Sequence, residues 1–576
     1  MLTQKITARL SGALRLSVAP RLSGRPRLSG AARLSAVLGC AFLFSMLLCH
    51  SNPLLAQDSL LLRDYRYLRQ SSPWLTQRNA AALSLFDSRN IAEADLSLSH
   101  ASGSLTGFSG SPSLTTLQVA IESFYRISPR AVVFGAISYD NLAGDDMTGS
   151  VFLQDRLPFD IVEDSLTNKG HKHCDSYHLT GGFSYSLTRS LALGLRADYT
   201  AANYAKYKDL RHKNKLMNLD VTAGLLSTLH APLSTVHLGL DYTYHRRTES
   251  LQFATYGKSD KLYKSLIDYG AMMGIVEMFG NEGYTDKTNE MPLFEDGHSG
   301  ALSFSVSRGP FMLYNALSLS HATGYYGRKS QYTITYTDHD RDIFTEHVRL
   351  AYTPSRAPSM FCLDLRYTNE KLHNRVNTFR GLTNANGATH YVYYDATDAA
   401  DKRWRTLDID YTMHLGIRHE LPLWTVTAGC HWQQRDVTAY LYPYYRQQQL
   451  RTTEWTASLS RHIVLPKGVW LLSLAGGYQQ GSGDAYRDGT FVTPSAKQSQ
   501  PATMPAFLYQ DYQYLTAPQY RVALQLKYTF LFPGTRLCTH VRAAFDYRRA
   551  TVTDDTPSGL HNPRRTVFTI AAGHTF

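Results

Sequence analysis

The sequence of 576 residues lacks a long hydrophobic run and is poor in cysteine, with six, and tryptophan, also six. No apolar stretch approaches the roughly 20 residues that a membrane-spanning helix needs, which excludes a helical membrane protein. The four cysteines beyond residue 56 are scattered and form no C-x-x-C pair. Neither a zinc site nor a dense disulfide framework is therefore indicated.

Acidic residues are missing from the first 56 positions, which hold seven of the 59 basic residues. The remaining 520 residues carry 52 basic and 47 acidic side chains, so the net charge of +12 comes largely from the N-terminus. The basic balance therefore does not indicate a nucleic-acid partner.

The N-terminal 56 residues have the organisation of an export signal. An Arg-rich Arg-Leu-Ser repeat precedes a 14-residue apolar core at 36–49, and a small residue, Ala56, precedes the polar start of the mature chain. This order predicts a secretory signal peptide over 1–56, cleaved after Ala56, and the low-complexity repeat is assigned no fold.

From about residue 92 the dominant feature is a two-residue period. In one segment Leu191, Leu193 and Leu195 share a face, while Arg196 and Asp198 share the other. Such strands suit a soluble sandwich, in which strands average five or six residues, or a membrane barrel, which needs about 9–11 residues per crossing. The segments run ten to fourteen residues, which favours the barrel, with the apolar face outside and the polar face in the lumen.

Eighteen segments repeat this pattern, separated by alternately short and long spacers, which is the rule for periplasmic turns and extracellular loops. We therefore predict an all-β, transmembrane, antiparallel up-and-down β-barrel over 92–576, with sixteen strands as the alternative. The predicted strands are 92–100, 115–127, 130–140, 176–187, 190–200, 217–228, 235–245, 299–307, 311–321, 343–353, 359–369, 405–417, 423–436, 453–463, 468–480, 519–531, 536–547 and 566–576.

The last strand, RRTVFTIAAGHTF, places Phe568 and Ile570 on one face and ends at Phe576. It resembles the C-terminal insertion signal of outer-membrane barrels, which implies outer-membrane lipid and the barrel-assembly machinery as partners. Residues 72–86, SPWLTQRNAAALSLF, resemble the Asn-x-Ala opening of fatty-acid-porin-like barrels. Over 57–576 the chain resembles the large, functionally uncharacterised outer-membrane barrels of Bacteroidota, which implies fold and location but no catalytic residue or cofactor.

Residues 57–91 are too few for the plug domain of an energy-coupled receptor. They could form a hatch in the lumen, with DSLLLRDYRYLRQ as a short helix, or a periplasmic lead-in, and the sequence leaves both open.

The predicted lumen carries charges of both signs. Such a lining fits either ion pairs that brace the wall or a transverse field across a pore, and it excludes a filter of one sign. The predicted lumen-lining residues are Arg196, Asp198, Asp241, Arg349, Asp364, Arg366, Asp408, Asp410, Lys527, Arg542 and Asp546.

The long loop 246–298 contains apolar residues near helical spacing, among them Leu262, Leu266, Met273 and Val276. This spacing predicts a helix that constricts the lumen, docks a partner or packs over neighbouring loops. Tyrosine clusters elsewhere in the loops could stack on sugars, anchor a partner protein or complete the aromatic girdle.

Two loop clusters, HKHCD at 171–175 and DHDRD at 338–342, mix hard and soft ligands without a familiar spacing, so no metal site is predicted. No nucleophile or phosphate-binding motif occurs in a suitable context, and no enzyme is predicted. The sequence favours a channel or transport component for a small solute. An accessory barrel that binds a surface protein or glycan is the alternative.

Overall fold

The structure is a computed structural model that describes residues 63–163, 168–255, 263–279, 291–532, 537–552, 560 and 562–576. These belong to one compact unit, Ser59–Phe576. The predicted signal peptide, the start of the 57–91 segment and Leu262 lie outside the described residues. Among the described helices, none is long and apolar enough to span a membrane.

Eighteen antiparallel strands form one closed sheet, as predicted. Closure is made by the first and last strands, which pair from Glu93 with Thr575 to Ser102 with Thr566. Each predicted strand coincides with one of them, and the sixteen-strand alternative is wrong. The strands are β1 Ile91–Ser102, β2 Ser113–Ser128, β3 Ala131–Met147, β5 Gly170–Ser186, β6 Leu191–Lys206, β7 Arg211–Ala231, β8 Ser234–Ala254, β11 Met291–Arg308, β12 Phe311–Gly327, β13 Thr335–Tyr352, β14 Ser359–Thr383, β15 Thr389–Leu415, β16 Trp424–Leu441, β17 Tyr444–Leu465, β18 Gly468–Thr490, β20 Gln519–Leu531, β21 Cys538–Ala550 and β22 Arg564–Thr575.

The outer face of the barrel is apolar and exposed. Leu195, Leu240 and Leu474 are 61%, 55% and 52% exposed. Aromatic residues recur eight positions apart on single strands, a separation of about 26 Å along the strand and about 20 Å in height after tilt, close to the apolar band of a membrane barrel. The near girdle, beside the short turns, includes Tyr352, Trp470 and Tyr528, and the far girdle includes Phe344, Tyr478 and Tyr520.

Beyond the far girdle, the spacers predicted as long loops are largely strand. The loop predicted at 370–404 is the paired ends of β14 and β15, which leave a turn between Thr383 and Thr389. Around that turn both strand faces are exposed, so no apolar face marks them as strands in the sequence. We call the part of the barrel wall that continues beyond the far girdle the collar. By the rule that long connections are extracellular, it faces outward from the cell.

A second, four-stranded sheet lies against the inner wall of the collar. It consists of β4 Asp160–Glu163, β9 Tyr263–Gly270, β10 Met273–Phe279 and β19 Ala502–Thr503, in the order β19-β10-β9-β4. The helix predicted within 246–298 is wrong, because the described residues of that loop form the end of β8, the β9–β10 hairpin and the start of β11. Glycines at 270 and 274 flank its turn, and β4 and β19 pair with its two edges.

The segment before β1 forms helix α1, Tyr65–Ser71, followed by two 3-10 helices, Pro73–Leu75 and Ala80–Leu85. Helix α1 overlaps the second half of the predicted short helix and ends one residue beyond it. Asp64 caps it by accepting a hydrogen bond from the Arg66 backbone N–H at 2.9 Å. A further helix, α2 Pro505–Thr516, packs on β17 and β18.

Candidate functional site

The candidate site is the lumen with the two groups of residues that occupy it. The first is the N-terminal segment, residues 63–90, which packs on the inner face of β3, β5–β8, β11 and β12. A Cβ on Gly194 would lie 1.9 Å from the Ala81 backbone N, so this wall position admits only glycine. Asn79 donates hydrogen bonds to the carbonyls of Leu225 at 3.0 Å and Leu240 at 3.2 Å.

Charged wall residues also hold this segment. Arg349 donates to the Gln70 carbonyl at 2.7 Å and pairs with Asp364 at 2.7 Å. Arg196 donates to the Gln77 carbonyl at 3.2 Å and pairs with Asp198 at 2.7 Å. These four predicted lumen residues therefore anchor the N-terminal segment.

The opposite side of the lumen is solvated. Arg366 and Asp410, on the inner face of β14 and β15, are exposed, as is Thr456 on β17. Asp408 lies beside them and pairs with His431 on β16. The N-terminal segment thus leaves a polar, water-accessible surface along part of the wall.

The remaining predicted lumen residues form ion pairs or are buried. Arg542 pairs with Asp95 at 3.1 Å, Lys527 approaches Glu93 at 3.7 Å, and Arg521 pairs with Asp546 at 2.6 Å. The last predicted residue, Asp241, is 8% exposed on β8. These contacts match the interpretation of wall-bracing ion pairs.

The second group, which we call the loop sheet, comprises β4, β9, β10 and β19. Two of the predicted constriction residues are buried in it. Leu266 is fully buried and packs with Phe507 and Leu508 of α2, and Met273 is 2% exposed. Val276 is 48% exposed, so the hairpin presents this side chain to solvent, whereas Met273 packs against the wall.

Polar contacts attach the loop sheet to the collar. Lys402 donates to the Leu157 carbonyl at 3.0 Å. Arg446 donates to the Ala271 carbonyl at 3.2 Å. Glu163 at the end of β4 is buried between Lys172, 2.8 Å away, and Lys206. Apolar packing adds to these polar contacts, because Ile267 of β9 is fully buried in one cluster with Tyr326 and Ala439 of the wall.

Two carboxyl groups face each other inside the loop sheet. Asp160 and Asp268 are register partners on β4 and β9. Asp160 accepts a hydrogen bond from Ser150 at 2.7 Å, and Asp268 accepts from the Gly270 N–H at 2.9 Å. Burial raises the pKa of Asp160 to about 7, with Asp268 adding to the rise and Lys402 opposing it. Burial also raises the pKa of Asp268.

We expect this pair to make the loop sheet less stable as pH rises. The pKa of Asp160 is higher in the closed sheet than in a solvated open state, so its proton favours closure at low pH, and this advantage is lost between about pH 4 and 7. Hydrogen exchange of the β4 and β9 amides, corrected for intrinsic rates, should show more opening at pH 7 than at pH 5. Asp160→Asn should weaken that trend, with Asp268 supplying what remains of it, and an equal trend in the variant would contradict this assignment.

One hydrogen-bonded relay in the wall was missed from the sequence. His245 joins Asp220, at 2.8 Å, to Ser299, at 2.7 Å, across β7, β8 and β11. A carboxylate, an imidazole and a hydroxyl in this order are also the groups that activate a serine nucleophile. However, the backbone around Ser299 is paired on both sides, with β8 and β12. No free N–H in this ladder can therefore serve as an oxyanion donor, and the relay ties three strands together.

The clusters considered for metal are dispersed along strands. His171 pairs with Asp145 at 2.8 Å, and His339 is buried beside Glu295. Among the described residues, one other group brings three potential ligands together, namely Glu93, Asp95 and His540. Arg542 and Lys527 already neutralise its two carboxylates, so it does not need a cation.

The predicted insertion residues lie at the end of the chain. Phe568 and Ile570 are 58% and 56% exposed on the outer face of β22. Phe576 exchanges two backbone hydrogen bonds with Ala92, at 2.8 and 3.0 Å. The terminal residue thus completes the seam between the first and last strands.

A closed antiparallel barrel with an apolar outer band and a polar lumen defines an outer-membrane β-barrel, located in the outer membrane. The chain belongs to the family of unknown function DUF6850, whose model matches residues 80–576. A comparison with curated proteins found no match. The Bacteroidota origin and the fatty-acid-porin-like opening stay predictions.

Solved structures show distant similarity. The ferric preacinetobactin receptor BauA from Acinetobacter baumannii is 8% identical, with a TM-score of 0.39, covering 84% of this chain and 80% of that one. The siderophore receptor PiuA from Acinetobacter baumannii is 9% identical, with a TM-score of 0.39, covering 83% and 81%. The monoaromatic hydrocarbon channel TodX, as a deltaS2S3 mutant, is 9% identical, with a TM-score of 0.29, covering 86% and 92%. Function does not transfer across such distances.

Proposed function

We propose that this protein is a gated channel or transport component that passes a small solute across the outer membrane, with the loop sheet as the movable part. The observation that carries the proposal is that an eighteen-strand lumen is wide enough for an aqueous path and is occupied by two separate segments. The water-accessible part of the wall that includes Arg366 and Asp410, which we call the solvated strip, supplies a polar route past the N-terminal segment.

The position of the loop sheet supports this role. Its hairpin lies against β15 and β16, inside the collar and on the extracellular side of the solvated strip. Release of the hairpin would connect that strip with the outside. The N-terminal segment would remain as a filter at the near girdle, since it is anchored by both packing and charge.

A reversible crosslink tests the proposal. A Cβ on Gly270 would lie 3.6 Å from the Ala439 Cβ, within the range for a disulfide. The variant is Gly270→Cys with Ala439→Cys, in a Val437→Ala background because the Val437 Cγ1 would be 2.4 Å from the new Cβ. Single-channel recordings of the mature chain in planar bilayers should show steps under reducing conditions that disappear on oxidation and return with reductant.

The two variants with one of these substitutions each, Gly270→Cys or Ala439→Cys in the same Val437→Ala background, are the matched controls, because each carries half of the packing change and cannot form the crosslink. Steps that persist in the oxidised double variant would overturn the loop sheet as the gate. A protein that is silent in both redox states, although folded by heat-modifiable gel mobility, would contradict spontaneous opening.

A further inference from the structure

A cluster of aromatic rings lies in the collar at the outer end of the β16–β17 hairpin. It consists of Tyr440, Tyr442, Tyr445 and Phe491, which we call the tip platform. Phe491 is central, with ring centroids 6.2 Å from Tyr440, 6.4 Å from Tyr442 and 4.9 Å from Tyr445. The rings of Tyr442 and Phe491 are within 13° of parallel. Tyr442 is 69% exposed and Phe491 is 56% exposed, so the platform presents flat faces to solvent.

The platform is fixed in place before any ligand arrives. The Phe491 backbone N–H donates to the Pro443 carbonyl at 2.9 Å. Tyr440 donates its hydroxyl to Asp401 at 2.8 Å. Tyr445 lies over Gly489, where a Cβ would come within 2.4 Å of its ring. Fixed rings lose little conformational entropy on binding, which favours a stacking ligand.

Hydrogen-bonding groups lie on both sides of the rings. On one side, His373 bridges Asp398 at 3.2 Å and Asp401 at 2.8 Å, and both carboxylates are more than half exposed. On the other, Arg487 donates to Gln447 at 2.9 Å in an exposed position. A ligand whose hydroxyls both donate and accept hydrogen bonds matches this border, whereas the paired carboxylates repel phosphate, sulfate and uronate groups.

The dimensions also discriminate among ligands. From His373 on β14 to Phe491 after β18 the surface crosses four strand spacings, about 19 Å, the length of a short oligosaccharide. A protein interface of standard size needs about 800 Å² per partner with an apolar centre. Four rings bordered by exposed carboxylates do not provide that. The platform also lies well outside the membrane. Cys430 is at the height of the far girdle, because it pairs with Trp455, which pairs with the girdle residue Tyr478. Tyr440 is ten residues further along the strand, which places the platform about 25 Å above the far girdle.

We propose that the tip platform binds a neutral oligosaccharide by stacking sugar rings on Tyr442 and Phe491, with hydroxyl groups donating to Asp398 and Asp401. This binding does not depend on whether the lumen opens, so it stands apart from the gating proposal. It gives the collar an outward-facing capture surface, separate from the lumen.

Isothermal titration of the detergent-solubilised mature chain tests the proposal. The probes are neutral hexasaccharides of α-1,4-glucose, β-1,4-glucose, β-1,4-xylose and β-1,4-mannose. At least one should bind with a dissociation constant of about 1 mM or lower. The double variant Tyr442→Ala with Phe491→Ala should weaken that binding at least tenfold, with heat-modifiable mobility showing that the barrel is intact.

Tyr394→Ala is the matched control. Tyr394 is 67% exposed, nearly the same as Tyr442, but lies on the separate β14–β15 tip, so its loss should leave binding unchanged. A galacturonate hexasaccharide should not bind the wild-type chain and should gain affinity when Asp398 and Asp401 are changed to Asn. The proposal would be overturned if no neutral probe binds at millimolar concentration, or if Tyr394→Ala loses as much affinity as the double variant. It would also be overturned if the neutral probes fail and the surface binds a protein instead.

Discussion

Removing the β9–β10 hairpin should raise the conductance of the barrel by about tenfold or more. The change replaces residues 256–290 with a short Gly-Ser linker between β8 and β11, whose ends already pair through Leu251 and Met291. The hairpin is the centre of the loop sheet, with β4 on one edge and β19 on the other. Its loss removes the pairing of both edge strands and exposes the solvated strip to the extracellular side, which in an eighteen-strand barrel leaves an aqueous path.

The control shortens a different hairpin. Phe379 and Tyr393 pair across β14 and β15, so residues 380–392 can be replaced by a two-residue turn without changing the register. This tip projects beyond the lumen and is largely exposed. Planar-bilayer recordings should therefore show unchanged conductance for it. If both deletions behave alike, the loop sheet is not the constriction.

Gly194→Val should expel the N-terminal segment from the lumen. The new Cβ would meet the Ala81 backbone N at 1.9 Å and the Ala80 carbonyl carbon at 2.3 Å. Backbone atoms cannot rotate away as a side chain can, so the second 3-10 helix must move. Overpacking alone costs about 1–3 kcal/mol, and the hydrogen bonds from Asn79 to the wall would be lost as well.

Trypsin cleavage at Arg78 measures this displacement, because proteolysis follows the population of the released state. We expect the cleavage rate to rise about tenfold or more, since each 1.4 kcal/mol changes that population tenfold. Gly181→Val is the matched control. Gly181 is on the neighbouring strand β5, where a Cβ would meet nothing within 4 Å. Equal protection of Arg78 in both variants would show that the segment tolerates the larger side chain.

The two segments in the lumen differ in how they are held. The N-terminal segment meets the wall glycine Gly194 at backbone distance and hydrogen-bonds to strand carbonyls. The loop sheet packs on the wall through an apolar cluster that includes Ile267, Tyr326 and Ala439, and Lys402, Arg446 and Glu163 add polar contacts around it. The pH-dependent pair Asp160 and Asp268 lies in the loop sheet alone. Movement on opening is therefore expected in the collar, with the near girdle unchanged.

Prediction from the sequence succeeded for the strands, where the signal is local. The alternation of Leu193 and Leu195 with polar residues predicted the strand 190–200, and the structure has β6 over Leu191–Lys206. The β9–β10 hairpin was missed because Leu266 and Met273 are seven residues apart, a spacing that fits a helix. The relay of Asp220, His245 and Ser299 has no sequence signal, since its members become neighbours through strand register alone.

By itself the sequence determined the barrel, its strand number and which residues face lipid, because a strand in a membrane wall must alternate apolar and polar residues over its whole length. Tertiary structure decided what occupies the lumen. A polar inner face accepts water, a hatch or a folded loop equally well, so nothing in the alternation shows that Asn79 would hydrogen-bond to the carbonyls of Leu225 and Leu240. The loop sheet likewise exists because strands from three distant connections pair inside the collar, and such pairing depends on contacts far apart in the chain.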